Sequence, residues 1–219
     1  HALMLMLSLA RNVVPISAGV RRGEWRVQGR SSTFELGGRS VLVIGFGRIG
    51  TRVARLCTAF GMRVAVHDPF IPAGTIRGAG YEVAVERDAG LAQADIVTVH
   101  IPAHEANRGV VDAAFLSRMK PGSVLINTAR GTLVDEAALE AALRSGHLAA
   151  AGLDVLSVEP MAKPLSMLAL DNLIVTPHVA ASTGEGLRRM SWDSAGNVLD
   201  YLAGRPDRDA VVNREVLTG

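Results

Sequence analysis

From Arg39 to about Thr176 the chain alternates between two kinds of apolar pattern. Short runs rich in Val, Ile, Leu and Ala occupy 41–44, 63–67, 81–85, 96–100, 123–127, 149–155 and 173–176. Most are continuous rather than alternating, as in strands buried on both faces. Between them lie segments such as 52–60, 112–119 and 135–145, where apolar or alanine positions recur at helical spacing. This order predicts an α/β fold: a parallel, doubly wound sheet with helices on both faces. Asp135 stands where it can cap one of those helices, and Gly146 where it can end it. No internal repeat or low-complexity tract interrupts the pattern.

The flanks read differently. His1 to Ala10 is almost wholly apolar, and a helix apolar on all sides must be buried in a larger fold or against a partner. It lacks the charged lead and cleavage site of a signal peptide, and it is far shorter than the ~20 residues that span a bilayer. A second short helix is expected from Pro15 to about Arg22, then an irregular connector from Gly23 to Gly38. A long helical pattern from Glu185 to Leu202 and a polar tail with Pro206 follow the last strand. The expected organisation is a nucleotide-binding domain over 1–183 that includes the opening helix, and a terminal helix and tail over 184–219.

Composition narrows the classes. With 48% apolar residues in 219, the chain can bury a substantial core. Its formal net charge is only +2, and its arginines are scattered without a basic run or interleaved aromatics, so nucleic acid is not an expected partner and neither is a membrane. A single cysteine, Cys57, excludes an intrachain disulfide and fits a reducing, cytoplasmic setting.

The chemistry begins where the first strand ends. Gly45-Phe46-Gly47-Arg48-Ile49-Gly50 follows the apolar run directly and opens a helical stretch, the context in which G-x-G-x-x-G signals dinucleotide binding. Gly45 suits the tight turn, Gly47 lets the backbone approach a pyrophosphate, and Gly50 lets helix and strand pack closely. The helix N-terminus then offers N–H groups to the phosphates. Asp68, at the end of the second run, stands near the ~20-residue offset of an acid that grips the adenosine ribose. Such an acid repels the 2′-phosphate of NADP and so favours NAD. Other nucleotide folds use similar loops, and Asp68 before Pro69 also suits a plain turn.

In a doubly wound sheet, ligands bind outside the carboxyl ends of the strands. Three ionisable residues fall on that rim: Arg130, Glu159 and His178. Hydride delivery to a carbonyl leaves an alkoxide to be protonated, and histidine beside a carboxylate suits that task. A guanidinium grips a carboxylate with two prongs and polarises a neighbouring carbonyl. Together they fit reduction of a 2-oxo acid, although each alone also reads as an ordinary loop residue. A metal site built from Asp154, Glu159 and His178 is disfavoured, since no histidine pair has ligand-like spacing. Hydrolysis is disfavoured too, because no G-x-S-x-G elbow is present.

These pieces, with Asn127-Thr128-Ala129-Arg130-Gly131, Leu153-Asp154-Val155 leading to Glu159-Pro160, and Thr176 to Thr183, resemble the NAD-dependent D-isomer-specific 2-hydroxyacid dehydrogenases over His1 to about Val216. The resemblance implies a Rossmann-type domain that binds NAD and a small 2-hydroxy or 2-oxo acid, and a homodimer. It assigns Arg130 to the substrate, Glu159 to the partner of the histidine and His178 to the acid/base. It places Gly45, Phe46, Gly47, Arg48, Ile49, Gly50, Asp68, His100, Pro102, Thr128, Ala129, Asp154 and Ala180 at the cofactor, with Asp154 beside the nicotinamide. Members normally begin with a substrate-domain segment, so that second domain is expected to be mostly absent here. After His100-Ile101-Pro102 the chain departs from the family's usual Leu-Thr turn, running Ala103-His104-Glu105-Ala106-Asn107. A non-catalytic, corepressor-like NAD module is the competing reading. Formate oxidation is disfavoured, because relatives of that type resemble the pattern with glutamine where this chain has Glu159.

Overall fold

A computed structural model describes residues 1–25 and 33–215. Part of the expected connector, 26–32, and the end of the tail, 216–219, lie outside the described residues. Two compact units divide the chain after His178.

In the first unit, seven strands form one parallel sheet: β1 (Ser40–Ile44), β2 (Arg63–His67), β3 (Glu82–Val83), β4 (Ile96–Val99), β5 (Ser123–Asn127), β6 (Leu148–Leu153) and β7 (Leu173–Val175). Their spatial order is β3-β2-β1-β4-β5-β6-β7, so the order reverses between β1 and β4. That reversal opens the crevice in which doubly wound sheets hold ligands.

Successive strand residues point to opposite faces, and each face has its own apolar core. Val41, Val43, Ile96, Val124 and Ile126 face one way. They are covered there by α1 (Ala2–Ala10), α3 (Gly50–Ala59) and α4 (Ala73–Gly78), through residues such as Leu5, Met6, Val53 and Ile76. Leu42, Ile44, Val97, Val99 and Leu125 face the other way. Their cover comes from α5 (Arg87–Gln93), α6 (Ala113–Arg118) and α7 (Glu136–Arg144), through Leu91, Phe115, Leu116, Leu139 and Leu143. Asp112 caps α6 by accepting from Phe115 N–H, and Asp135 caps α7 by accepting from the N–H groups of Ala137 and Ala138. Cys57 is buried in α3, and burial pushes its thiol up to about 12, which leaves it a small inert hydrophobe.

The apolar opening is thus only half absorbed by this unit. Leu5, Met6 and Ala10 are buried, whereas Met4 and Leu7 face outward, as do Val13, Val14 and Val20 of α2 (Val13–Arg21). Among the described residues no single helix is long and apolar enough to cross a membrane; α1 and α2 together have the composition but are bent by 61°. The second unit, from Val179, consists mainly of α8 (Gly184–Leu202), whose first turn Thr183 caps through Gly186 N–H.

Candidate active site

The glycine loop runs from the carboxyl end of β1 into α3. Gly45 turns with φ +92°, where a side chain would also meet the His100 carbonyl at 2.7 Å. Gly50 lies against that turn: a Cβ there would sit 1.9 Å from the Gly45 carbonyl oxygen. Gly47, between them, faces open space. The N-terminus of α3 has no side-chain cap, and Arg48 and Ile49 are exposed beside it. Open backbone and an uncapped helix end fit a bound pyrophosphate. Phe46 contributes backbone only at this rim, since its ring is buried edge-on against Tyr81 at 5.6 Å.

Asp68 follows β2. One carboxylate oxygen accepts from Phe46 N–H at 2.8 Å and the other from Phe70 N–H at 2.9 Å. It therefore ties the glycine loop to the turn after β2, and each oxygen keeps a second lone pair for a ribose hydroxyl. At the end of β4, His100 bonds Thr98 Oγ1 through Nε2 at 2.8 Å. Burial pushes this ring down to about 4, so it is neutral near pH 7. Pro102 follows, exposed, with its carbonyl accepting from Asn107 Nδ2 in the short helical turn Glu105–Asn107.

The loop after β5 is shaped by a residue that sequence reasoning passed over. Asn127 is fully buried; its Nδ2 donates to the Arg130 carbonyl at 2.8 Å and its Oδ1 accepts from Ala129 N–H at 2.9 Å. Thr128 and Ala129 are held half-buried at the rim by this brace. Arg130 is exposed, and its guanidinium folds back on the Ala129 carbonyl at 2.7 Å without bonding Glu159 or His178. The next residue presses on the loop after β6: a Cβ on Gly131 would lie 1.9 Å from the Leu156 carbonyl carbon and 2.5 Å from Ser157 N.

Glu159 and His178, distant in sequence, meet directly. His178 Nδ1 is 2.6 Å from one Glu159 oxygen, and Leu156 N–H donates to the other at 2.7 Å. Burial works to raise the Glu159 pKa and is the largest single effect. The bond from His178, the Leu156 N–H and the histidine charge together outweigh it, so the carboxyl sits below its ordinary value. An ionised carboxylate only accepts, so Nδ1 carries a proton and Nε2 is the atom left for a reactant. The pair lines a cleft of about 520 Å³ whose other walls include Leu156, Met161, Leu168 and Val175.

The backbone of His178 is unusual as well. Its φ is +55°, a region rarely used by residues other than glycine. The conformation is held by its N–H, which reaches the carbonyls of Asp154 at 2.7 Å and of Thr176 at 3.0 Å. Asp154, at the carboxyl end of β6, is wholly buried and accepts from Thr176 Oγ1 at 2.5 Å. Thr176 and Asn127 are thus supporting residues that only the assembled rim reveals, although both lay within the stretches that carried the family resemblance. Ala180 falls in the second unit.

A model of the D-isomer specific 2-hydroxyacid dehydrogenase NAD binding domain matches residues 3–180. The chain is 38% identical over 211 residues to the D-3-phosphoglycerate dehydrogenase of Archaeoglobus fulgidus, covering 96% of this chain and 40% of that protein. It is 39% identical over 205 residues to the (S)-sulfolactate dehydrogenase of Chromohalobacter salexigens, covering 94% of this chain and 66% of that protein. The solved structure of a D-lactate dehydrogenase from Aquifex aeolicus, complexed with NAD and lactic acid, superposes with a TM-score of 0.85 at 29% identity, covering 94% of this chain and 66% of that one. The chain thus spans 40% of the length of the first of these relatives and less than two thirds of the others. With its parallel sheet, its glycine loop and the match over most of its length, the chain belongs to the D-isomer specific 2-hydroxyacid dehydrogenase family and carries that family's NAD-binding domain.

Proposed function

We propose that the protein is an NAD(H)-dependent oxidoreductase that interconverts a D-2-hydroxy acid and its 2-oxo acid. The observation that carries the reading is the 2.6 Å contact between Glu159 and His178 on the same strand-end rim as the glycine loop. NAD(H), when bound, supplies or accepts the hydride. Gly47 and the N-terminus of α3 would hold its pyrophosphate, Asp68 its adenosine ribose, and the β4 to β6 rim its nicotinamide half.

In reduction, His178 Nε2 gives its proton to the carbonyl oxygen; in oxidation it takes the hydroxyl proton. Glu159 fixes the ring through Nδ1 and stabilises the charged imidazolium. Apolar side chains, among them Leu156, Met161, Leu168 and Val175, line the cleft beside the pair. Arg130 turns from the Ala129 carbonyl to the substrate carboxylate, a two-pronged partner that a lysine cannot replace. We also place the protein in a homodimer, through the outward apolar faces of α1 and α2, and in a reducing, cytoplasmic setting.

The test is NADH oxidation by the intact protein across a panel of 2-oxo acids, with His178→Asn beside the wild type. Asparagine tolerates positive φ, so the backbone should keep its course. Turnover in the wild type, a loss of ~10²–10⁴ in kcat/KM for the variant and unchanged NADH affinity are expected. NADH binding without turnover of any 2-oxo acid would instead identify a non-catalytic NAD module.

A further inference from the structure

α1 lies over β5 and β6, where Gly152 gives it room: a Cβ there would come within 3.0 Å of Leu5 Cβ and 3.2 Å of Leu9 Cδ1. This seating carries His1, just before the helix, to the carboxyl end of β6. Its ring is only 15% exposed. Nε2 lies 2.8 Å from Thr176 Oγ1 and 3.2 Å from Asp154 Oδ1.

Counting protons fixes the direction of these bonds. Thr176 has a single hydroxyl proton, which goes to Asp154 Oδ1. Toward His1 the Thr176 oxygen must therefore accept as well. Nε2 of His1 therefore carries a hydrogen and gives it to the Thr176 hydroxyl oxygen, with Asp154 Oδ1 3.2 Å from the same nitrogen.

We infer that His1 is a positioning residue: its Nε2–H, bonded to Thr176 and close to Asp154 Oδ1, keeps the Asp154 carboxylate oriented at the carboxyl end of β6, on the half of the rim that faces the nicotinamide. The inference rests on the proposed cofactor role, because Asp68 anchors the adenosine half at β2 and the rest of the dinucleotide crosses the switch point toward β4 to β6. A carboxylate there discriminates between the two forms of the cofactor. The nicotinamide ring of NAD+ is cationic and that of NADH neutral, so a held negative charge favours NAD+. The same Asp154 also receives His178 N–H on its backbone carbonyl, which links the cofactor side of the rim to the acid/base residue.

The experiment compares Kd for NAD+ and for NADH in the intact protein, by titration calorimetry, for wild type, His1→Leu and His1→Gln. Leucine removes the donor; glutamine places an amide N–H near the position of Nε2. The leucine variant should bind NAD+ about tenfold more weakly, the loss expected for one hydrogen bond to a charged group, with a much smaller change for NADH. Glutamine should restore most of the NAD+ affinity. In the nucleotide-free protein, NMR of the labelled ring should show an exchange-protected Nε2–H that Thr176→Val exposes. An unchanged NAD+ to NADH ratio in His1→Leu, or a wild-type ring lacking the Nε2 proton, overturns the role of His1 and leaves the cofactor reading intact. A wild type that binds neither nucleotide overturns both.

Discussion

The three glycines of the loop should fail in three different ways when replaced by alanine. At Gly50 the added methyl would stand 1.9 Å from the Gly45 carbonyl oxygen and 3.4 Å from Val43 Cγ1. Ordinary contact begins near 3.4 Å, so the backbone of α3 and the turn must part by more than 1 Å. Overpacking of that kind costs about 1–3 kcal/mol, only partly offset by the better helix propensity of alanine, at most about 1 kcal/mol. Gly45→Ala meets both a positive φ of +92° and the His100 backbone at 2.7 Å, and should be the most damaging. Gly47→Ala meets no atom within 4 Å, so the nucleotide-free protein should keep its stability within about 0.5 kcal/mol. Its methyl intrudes only where a pyrophosphate would lie, and losing one charged hydrogen bond, about 1.5–3 kcal/mol, weakens NADH binding by roughly ten- to a hundredfold. Urea midpoints of the nucleotide-free variants, paired with NADH titrations, separate the cases. A Gly47→Ala protein as unstable as Gly50→Ala, or one that binds NADH like the wild type, would refute the division of labour.

Two further outcomes follow from other parts of the rim. Asp68→Ala should relax the preference for NADH over NADPH and also lower the stability of the nucleotide-free protein by about 1 kcal/mol, since Phe46 N–H loses its acceptor; titration with both nucleotides and a urea curve check the two effects separately. His100 is pushed by burial from its ordinary 6.5 down to about 4, so between those values the unfolded chain binds more protons than the folded one. Stability should therefore be full above pH 6.5 and fall toward pH 4 by up to about 3 kcal/mol, and His100→Gln should flatten that slope in urea midpoints measured across the window.

What the residues disclosed in advance, and what they did not, follows from the range of the interactions involved. β2 and β5 span the residues expected from the apolar runs, because strands buried on both faces leave a continuous signal. β3 was expected over 81–85 and is only Glu82–Val83: it is the sheet's edge, pairing with β2 alone, so little burial marks its ends. α4 and α5 escaped prediction because each buries a single residue, Ile76 or Leu91, and neither has a side-chain cap. The site was legible where a motif stated it locally, as in the glycine loop. The grouping of Glu159 with His178 was legible from their places on the strand-end rim and sharpened by the family resemblance, since nothing local in either segment announces the other. The place of His1 was illegible, because it depends on how α1 seats over Gly152, a contact between residues far apart in the chain.

The rim is built more by backbone than by side chains. Gly50 presses on Gly45, Gly45 on the His100 carbonyl, and Gly131 on the Leu156 to Ser157 peptide, so the ends of β1 and β4, and those of β5 and β6, meet at distances that exclude a methyl group. Interfaces this close cannot slide without breaking, which fixes where the side chains emerge. Glu159 and His178 inherit that precision: Leu156 N–H holds the carboxylate, and the strained histidine backbone is held by two carbonyls. Arg130 is the exception. Asn127 fixes its backbone, but its guanidinium rests on the Ala129 carbonyl of its own loop, with no carboxylate partner among the described residues. In the proposed reaction the proton-transfer pair is therefore organised before any ligand arrives, while the substrate-binding cation is organised by the ligand. Binding energy from the substrate carboxylate is drawn into orienting Arg130, and a substrate lacking that carboxylate should lose turnover as well as affinity.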